Sequence, residues 1–186
     1  MTVILADKNI AILAADGFTE LHMTEIQRAL VKARAGAKIV APEPGIVNGW
    51  QDDNWGHHFH VDAPIAETLG SDFDMLVIPG GLRSAEKLKA NPHAKRIVKH
   101  FLEAGKPVAA IGEGVATLAL SDEVAEKTLA APVELHGALI TAHAIVSEDE
   151  LELDENILTA AGNDLPAWVE ATLKFFAEAE SVKKAA

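Results

Sequence analysis

Pro107-Val-Ala-Ala-Ile-Gly-Glu-Gly114 is the stretch on which the fold turns. Pro107 to Ile111 (PVAAI) is apolar on both faces, the pattern of a strand buried from both sides, and the two glycines around Glu113 end it in a sharp strand-to-helix turn. Working outward, Asp74 to Ile78 (DMLVI) reads as another such strand, stopped by Pro79-Gly80-Gly81. Lys8 to Ala14 (KNIAILA), Ala37 to Ala41 (AKIVA) and Asn156 to Ala160 complete the set of short apolar runs. Between them the period changes to that of helices. Thr19 to Ala35 carries an apolar stripe of Leu21, Ile26, Ala29, Leu30 and Ala33, with Gly36 expected as its C-cap. Arg83 to Gly105 is helical but broken at Asn91-Pro92, where proline can begin a helix and not continue one. Asp164 to Ala179 reads as a closing helix, Asp164 its N-cap and Pro166 in its first turn.

Strands alternating with helices predict an α/β domain, a mostly parallel sheet with helices on both faces, spanning residues 1–186 as one unit. Ligands of such sheets sit beyond the carboxyl ends of the strands, which selects Asp16 to His22, Pro79 to Glu86 and Gly112 to Val115. Pro42 to Asp62 shows no helical period and is expected to be irregular; its Trp50 and Trp55 should pack on the domain or on a partner subunit.

Composition narrows the function. The 186 residues are 49% apolar and 24% charged, the balance of a globular chain with a sizeable core. Asp and Glu number 28 against 16 Lys and Arg, a formal charge of −12, which repels phosphate backbones and anionic membranes. Nucleic acid and membrane are therefore not expected partners. Cysteine is absent, which removes disulfides, thiolate metal sites and thiol nucleophiles together. The N-terminal apolar run stops at Asp7-Lys8 without a basic segment before it, and no apolar stretch reaches the roughly 18 residues of a membrane span. A soluble, cytoplasmic protein is the expectation.

Gly112-Glu113-Gly114 occupies the place where a nucleophile elbow is built. With glycine at the elbow, the strain and the nucleophile are both gone. Glu113 then either sits near a helix N-terminus as part of a structural turn or serves as a general base or ligand anchor. The cluster His57-His58-Phe59-His60 would place His58, His60 and Asp62 on one face of an extended strand, but no further ligand spacing completes a metal site, and neither metal nor cofactor is assigned. Ser147 to Glu155 holds six acids and lacks the glycine and ligand order of a calcium loop, so a solvated hairpin or loop is expected.

KNIAILAADGFTE, VAPEPGIVNGW, DFDMLVIPGG, ANPHAKRIVKHFLEAGKPVAAI and ILTAAGNDLPAW resemble successive blocks of the ThiJ/PfpI family, in order and spacing. GWQDDNWGHHFHVD resembles the intracellular-protease-like branch. GKPVAAIGEG is also similar to part of the cysteine-less C-terminal domain of large-subunit catalases. The resemblance implies a flavodoxin-like three-layer sandwich and a homodimer or higher assembly. It further implies a site in which Gly112 stands where the family has its cysteine, Glu113 where an adjoining histidine is usual, and His22 where a helix glutamate is usual. Glu86 matches an acid that some members lend across a dimer interface. Thr19, Gly80, Gly81, Gly114, Trp50 and Trp55 fall in or near the implied pocket or interface. Three functions follow from this. One is a pseudoenzyme with a small-molecule-binding, regulatory or stress-associated role. The second is a repurposed hydrolase or lyase using His22 and Glu113 as an acid/base pair on a small compound. The third is a structural oligomer with a filled site.

Overall fold

The structure is a computed structural model that describes the backbone of residues 2–185 and the side chains of residues 2–179. The chain runs β1 (Asn9–Leu13), β2 (Phe18–Thr19), α1 (Glu20–Lys32), β3 (Gly36–Ala41), β4 (Ile46–Gln51), β5 (Asn54–His60), β6 (Ala63–Pro64), β7 (Met75–Ile78), α2 (Leu82–Lys89), α3 (Pro92–Glu103) and β8 (Val108–Ile111). It continues through α4 (Val115–Leu118), β9 (Thr128–Ala130), α5 (His136–Thr141), β10 (Ile145–Ser147), β11 (Leu151–Asp154), β12 (Ile157–Ala160) and α6 (Leu165–Ala185).

Seven strands form the central sheet in the order β11-β12-β8-β7-β1-β3-β6. Every pairing in it is parallel except the edge pair of β11 with β12. Alternation along the strands divides the core into two layers. Ala11 and Leu13, Leu76 and Ile78, and Val108 and Ala110 pack with Leu88, Ile97, Phe101 and Leu118 of α2, α3 and α4. Ile10 and Ile12, Met75 and Val77, and Ala109 and Ile111 pack with Met23, Ile26 and Leu30 of α1 and Trp168 and Phe176 of α6. The three-layer sandwich expected from the strand pattern is present. Among the described residues, no helix is long and apolar enough to cross a membrane.

Where proline and Asx chemistry mark boundaries, the expected ends hold. Asn91 accepts from the His93 N–H as the N-cap of α3, with Pro92 at its first position. Asp164 accepts from the Ala167 N–H at the start of α6. Three expectations need correction. Gly36 is not a C-cap: α1 ends at Lys32, Arg34 takes the left-handed conformation (φ 63°), and Gly36 already opens β3, its N–H on the Lys8 carbonyl. Leu21 is not core, being 56% exposed, because α1 turns Glu20, His22 and Met23 inward instead. Pro42 to Asp62 is not irregular, since β4 and β5 form an antiparallel hairpin turned at Asp52-Asp53, both with positive φ. Turns of that kind suit the strand twist but are usually signalled by Asn-Gly or Asp-Gly, so Asp-Asp hides one. Within the acidic run the expected hairpin is present: Leu151 to Asp154 pairs antiparallel with β12 and forms the edge strand of the main sheet.

Candidate functional site

The loops after β7 and β8 meet at the carboxyl edge of the sheet, because Ile78 pairs with Ala110 and the chain leaves both strands side by side. Gly81 has φ 117°, and a β-carbon there would lie 2.6 Å from the Gly17 carbonyl oxygen, so only glycine fits. Gly112 keeps the left-handed backbone of an elbow (φ 57°) without a side chain to present. A β-carbon on it would meet nothing nearer than Gly80 Cα and His22 Cε1, both at 3.7 Å. Gly114 is pressed against the Pro79 and Ile78 carbonyls, which excludes any side chain. Thr19 joins the site through its backbone, its N–H donating to the Gly80 carbonyl (2.8 Å).

His22 and Glu113 converge on this turn, yet they bind its backbone rather than each other. The Gly80 N–H donates to His22 Nδ1 (3.0 Å) and the Gly81 N–H donates to Glu113 Oε2 (2.9 Å). Accepting at Nδ1 fixes the tautomer, so the imidazole proton is on Nε2. His22 is 9% exposed, lies 6.5 Å from the Trp168 ring, and its pKa falls to about 4: burial drives it down and the Glu113 carboxylate only partly opposes this. At neutral pH it is an uncharged donor. Two successive N–H groups that could cradle an anion or oxyanion are thereby held by the protein's own side chains.

A second carboxylate closes the site from the other side. Gly162, just past β12, approaches Gly112 so closely that a β-carbon on it would lie 3.5 Å from Gly112 Cα. Glu150 anchors that loop: its Oε1 accepts from the N–H groups of Gly162, Asn163 and Asp164 (2.8, 2.7 and 3.2 Å), its Oε2 from Asn163 Nδ2 (2.9 Å). Burial pushes its pKa up, but the Asn163 side chain and the three backbone donors outweigh that and hold it below the usual range.

Trp50, Trp55 and Glu86 lie outside this turn. The two indoles meet edge to face at 5.2 Å across the β4–β5 hairpin, with the Arg83 guanidinium 4.1 Å above Trp50, a clip between hairpin and α2. Glu86 is exposed on α2. His57, His58 and His60 do not gather round a common point: no group of three metal-ligating side chains occurs among the described residues. His58 Nδ1 contacts Asn48 Oδ1, and Asp62 accepts from the Ile39 N–H.

Sequence reading missed Glu20. It is 5% exposed beneath the hairpin, Oε2 accepting from the His57 N–H (2.8 Å) and Oε1 from His57 Nδ1 (2.5 Å). Burial raises its pKa, and the bonds from the His57 ring and backbone more than reverse the shift. Gly49 and Gly56 make the space, for a β-carbon on either would collide with the Glu20 carboxylate. A buried acid 37 residues from its partner leaves no local signal, though the two glycines inside extended segments were one.

The DJ-1/PfpI family pattern matches residues 8–175, with the elbow near its centre. The chain belongs to the DJ-1/PfpI family. Among similar family proteins, "Putative cysteine protease YraA" of Bacillus subtilis is 31% identical over 158 residues, covering 84% of this chain and 90% of that one. DJ-1 protein homolog F of Arabidopsis thaliana is 36% identical over 121 residues, which are 64% of this chain and 30% of the plant protein. A solved two-domain protein of Anabaena variabilis, with DJ-1/ThiJ/PfpI-like and ferritin-like domains, superposes with a TM-score of 0.83 at 25% identity. It covers 90% of this chain and 49% of that one. The chain thus spans less than half the length of two of these DJ-1/PfpI relatives.

Proposed function

We propose that this DJ-1/PfpI domain is a pseudoenzyme at the elbow: a cytoplasmic binding or regulatory module, stress-associated like the role its resemblance implies, without thiol chemistry. The observation that carries this reading is the self-occupied turn. Gly112 offers no nucleophile, while His22 and Glu113 take the Gly80 and Gly81 N–H groups. The neutral imidazole is also a poor base near pH 7, which weighs against an acid/base pair. What the turn offers instead is the His22 Nε2–H, a donor suited to a small neutral carbonyl or amide.

Gly112→Cys tests this. The added β-carbon makes ordinary contacts at 3.7 Å and the positive φ costs about 1 kcal/mol, so the variant folds. With an uncharged His22 and an anionic Glu113 beside it, its thiol should react with iodoacetamide no faster than an unactivated one, whose pKa is about 8.5. A thiol alkylated rapidly at pH 6, with protease, deglycase or glyoxalase activity appearing alongside, sinks the proposal.

We also propose that the chain works as a homodimer through a groove of about 1020 Å³ between α1 and α6. Leu21, Val169 and Leu173 line it, and Lys32 and Glu170, neither in an ion pair among the described residues, stand at its edge. A two-fold contact repeats each pair in reverse, so an arrangement that brings Lys32 of one copy to Glu170 of the other forms that ion pair twice. On a surface of charge −12, this balanced, apolar face is where two copies meet at least electrostatic cost. Sedimentation should show a dimer that Leu21→Asp converts to monomer; Lys32→Glu should weaken it and Lys32→Glu with Glu170→Lys should restore it. A wild-type monomer at 100 μM (roughly the upper range for a specific dimer,) rejects the assignment.

A further inference from the structure

Glu20 and His57 form a unit that the elbow does not use. The carboxylate is almost fully buried, while the His57 side chain it holds is 83% exposed. Glu20 is ionised, its pKa lowered, so it accepts and His57 Nδ1 donates. The hydrogen bond therefore places a proton on Nδ1 and leaves Nε2 as the ring nitrogen open to solvent. That is the opposite tautomer to His22, and it is the one in which a carboxylate orients an imidazole for attack. The His57 N–H on Oε2 and the tight fit of Gly49 and Gly56 keep the carboxylate from swinging away. The register of the hairpin shifts between Trp55 and His58, so Gly56 and His57 turn toward Glu20 while Trp55 packs on Trp50 on the other face.

We propose that Glu20 and His57 constitute an acyl-transfer site on the β4–β5 hairpin, with His57 as nucleophile and Glu20 as its positioning residue, for small esters activated by an aryl oxide leaving group. The Nε2 lone pair attacks the ester carbonyl carbon. The bond to the leaving oxygen breaks, and the aryl oxide departs with the electron pair. The acylated ring is cationic while Nδ1 keeps its proton, and the Glu20 carboxylate stabilises that charge. Water then attacks the acyl carbon, the C–Nε2 bond returns its electrons to the ring, and the acid is released. The sum is ester plus water giving acid plus phenol, with no other reactant.

The probe is p-nitrophenyl acetate with the full chain at pH 8. His57→Gln should lower the hydrolysis rate at least about a hundredfold, the low end of what a positioned histidine supplies, while His60→Gln leaves it unchanged. Glu20→Gln should fall between, and two-bond proton–nitrogen NMR should then show loss of the Nδ1–H tautomer seen in the parent. Diethylpyrocarbonate should carbethoxylate His57 ahead of the other seven histidines. A rate insensitive to His57→Gln overturns the proposal. So does an Nε2–H tautomer at His57 in the unmodified protein, a readout that does not depend on any variant folding.

Discussion

Lowering the pH from 6.5 to about 4 should cost the parent protein about 3 kcal/mol of unfolding free energy that a His22→Gln variant does not lose. In the unfolded chain His22 takes up a proton near pH 6.5; in the fold burial delays this until about 4. Between those values the unfolded state binds more protons, so the folded state's advantage shrinks as the pH falls, and it is whole above 6.5. Glutamine can still accept the Gly80 N–H but does not titrate. Glu20 and Glu150 have pKa values lowered from 4.5, so their contributions are whole above that value, are lost as the pH falls from there, and cancel in the comparison of the two proteins. Urea unfolding of both proteins at pH 7.5, 6, 5 and 4.5 gives the comparison. Parallel curves would mean that His22 is already charged in the fold and that Gly80 binds something else.

Gly56→Ala should destabilise the protein by about 3 kcal/mol, large for the addition of one methyl group. The new β-carbon would stand 1.8 Å from Glu20 Oε2. The carboxylate must leave, giving up the His57 N–H and Nδ1 while still in a buried position. If that is the cause, Glu20→Ala removes most of the penalty, and the double-mutant cycle shows a coupling of about 2 kcal/mol. Penalties that simply add would point to the hairpin backbone and not to the carboxylate. The same cycle bears on the His57 site, because it measures how firmly Glu20 is held.

The sandwich was legible because its signals are local. Ile10 and Ile12 against Ala11 and Leu13 announce a strand buried on both faces whatever surrounds it, and Pro92 ends one helix and starts another by its own ring. The elbow was legible for the same reason, since Gly112 and Gly114 frame a turn whose lost nucleophile is a matter of residue identity. The hairpin was not legible. Its turn is made by Asp52 and Asp53 in a left-handed conformation that aspartate tolerates but rarely advertises, and its strands carry polar residues on both faces.

By itself, then, the sequence determined the layered α/β fold, the absence of a thiol and the acidic charge balance, and it singled out His22 and Glu113 as candidates. Tertiary structure decided what those groups do. Whether His22 faces Glu113 or a backbone amide depends on where β7 and β8 place Gly80 and Gly81, and the answer sets its tautomer and its charge. Leu21, apolar and on the helical stripe, is solvent-facing because α1 rotates to bury Glu20 and His22. Glu20 meets His57 only after the hairpin has folded across α1. Hydrogen bonds and desolvation act over a few ångströms in space, and no distance along the chain encodes them.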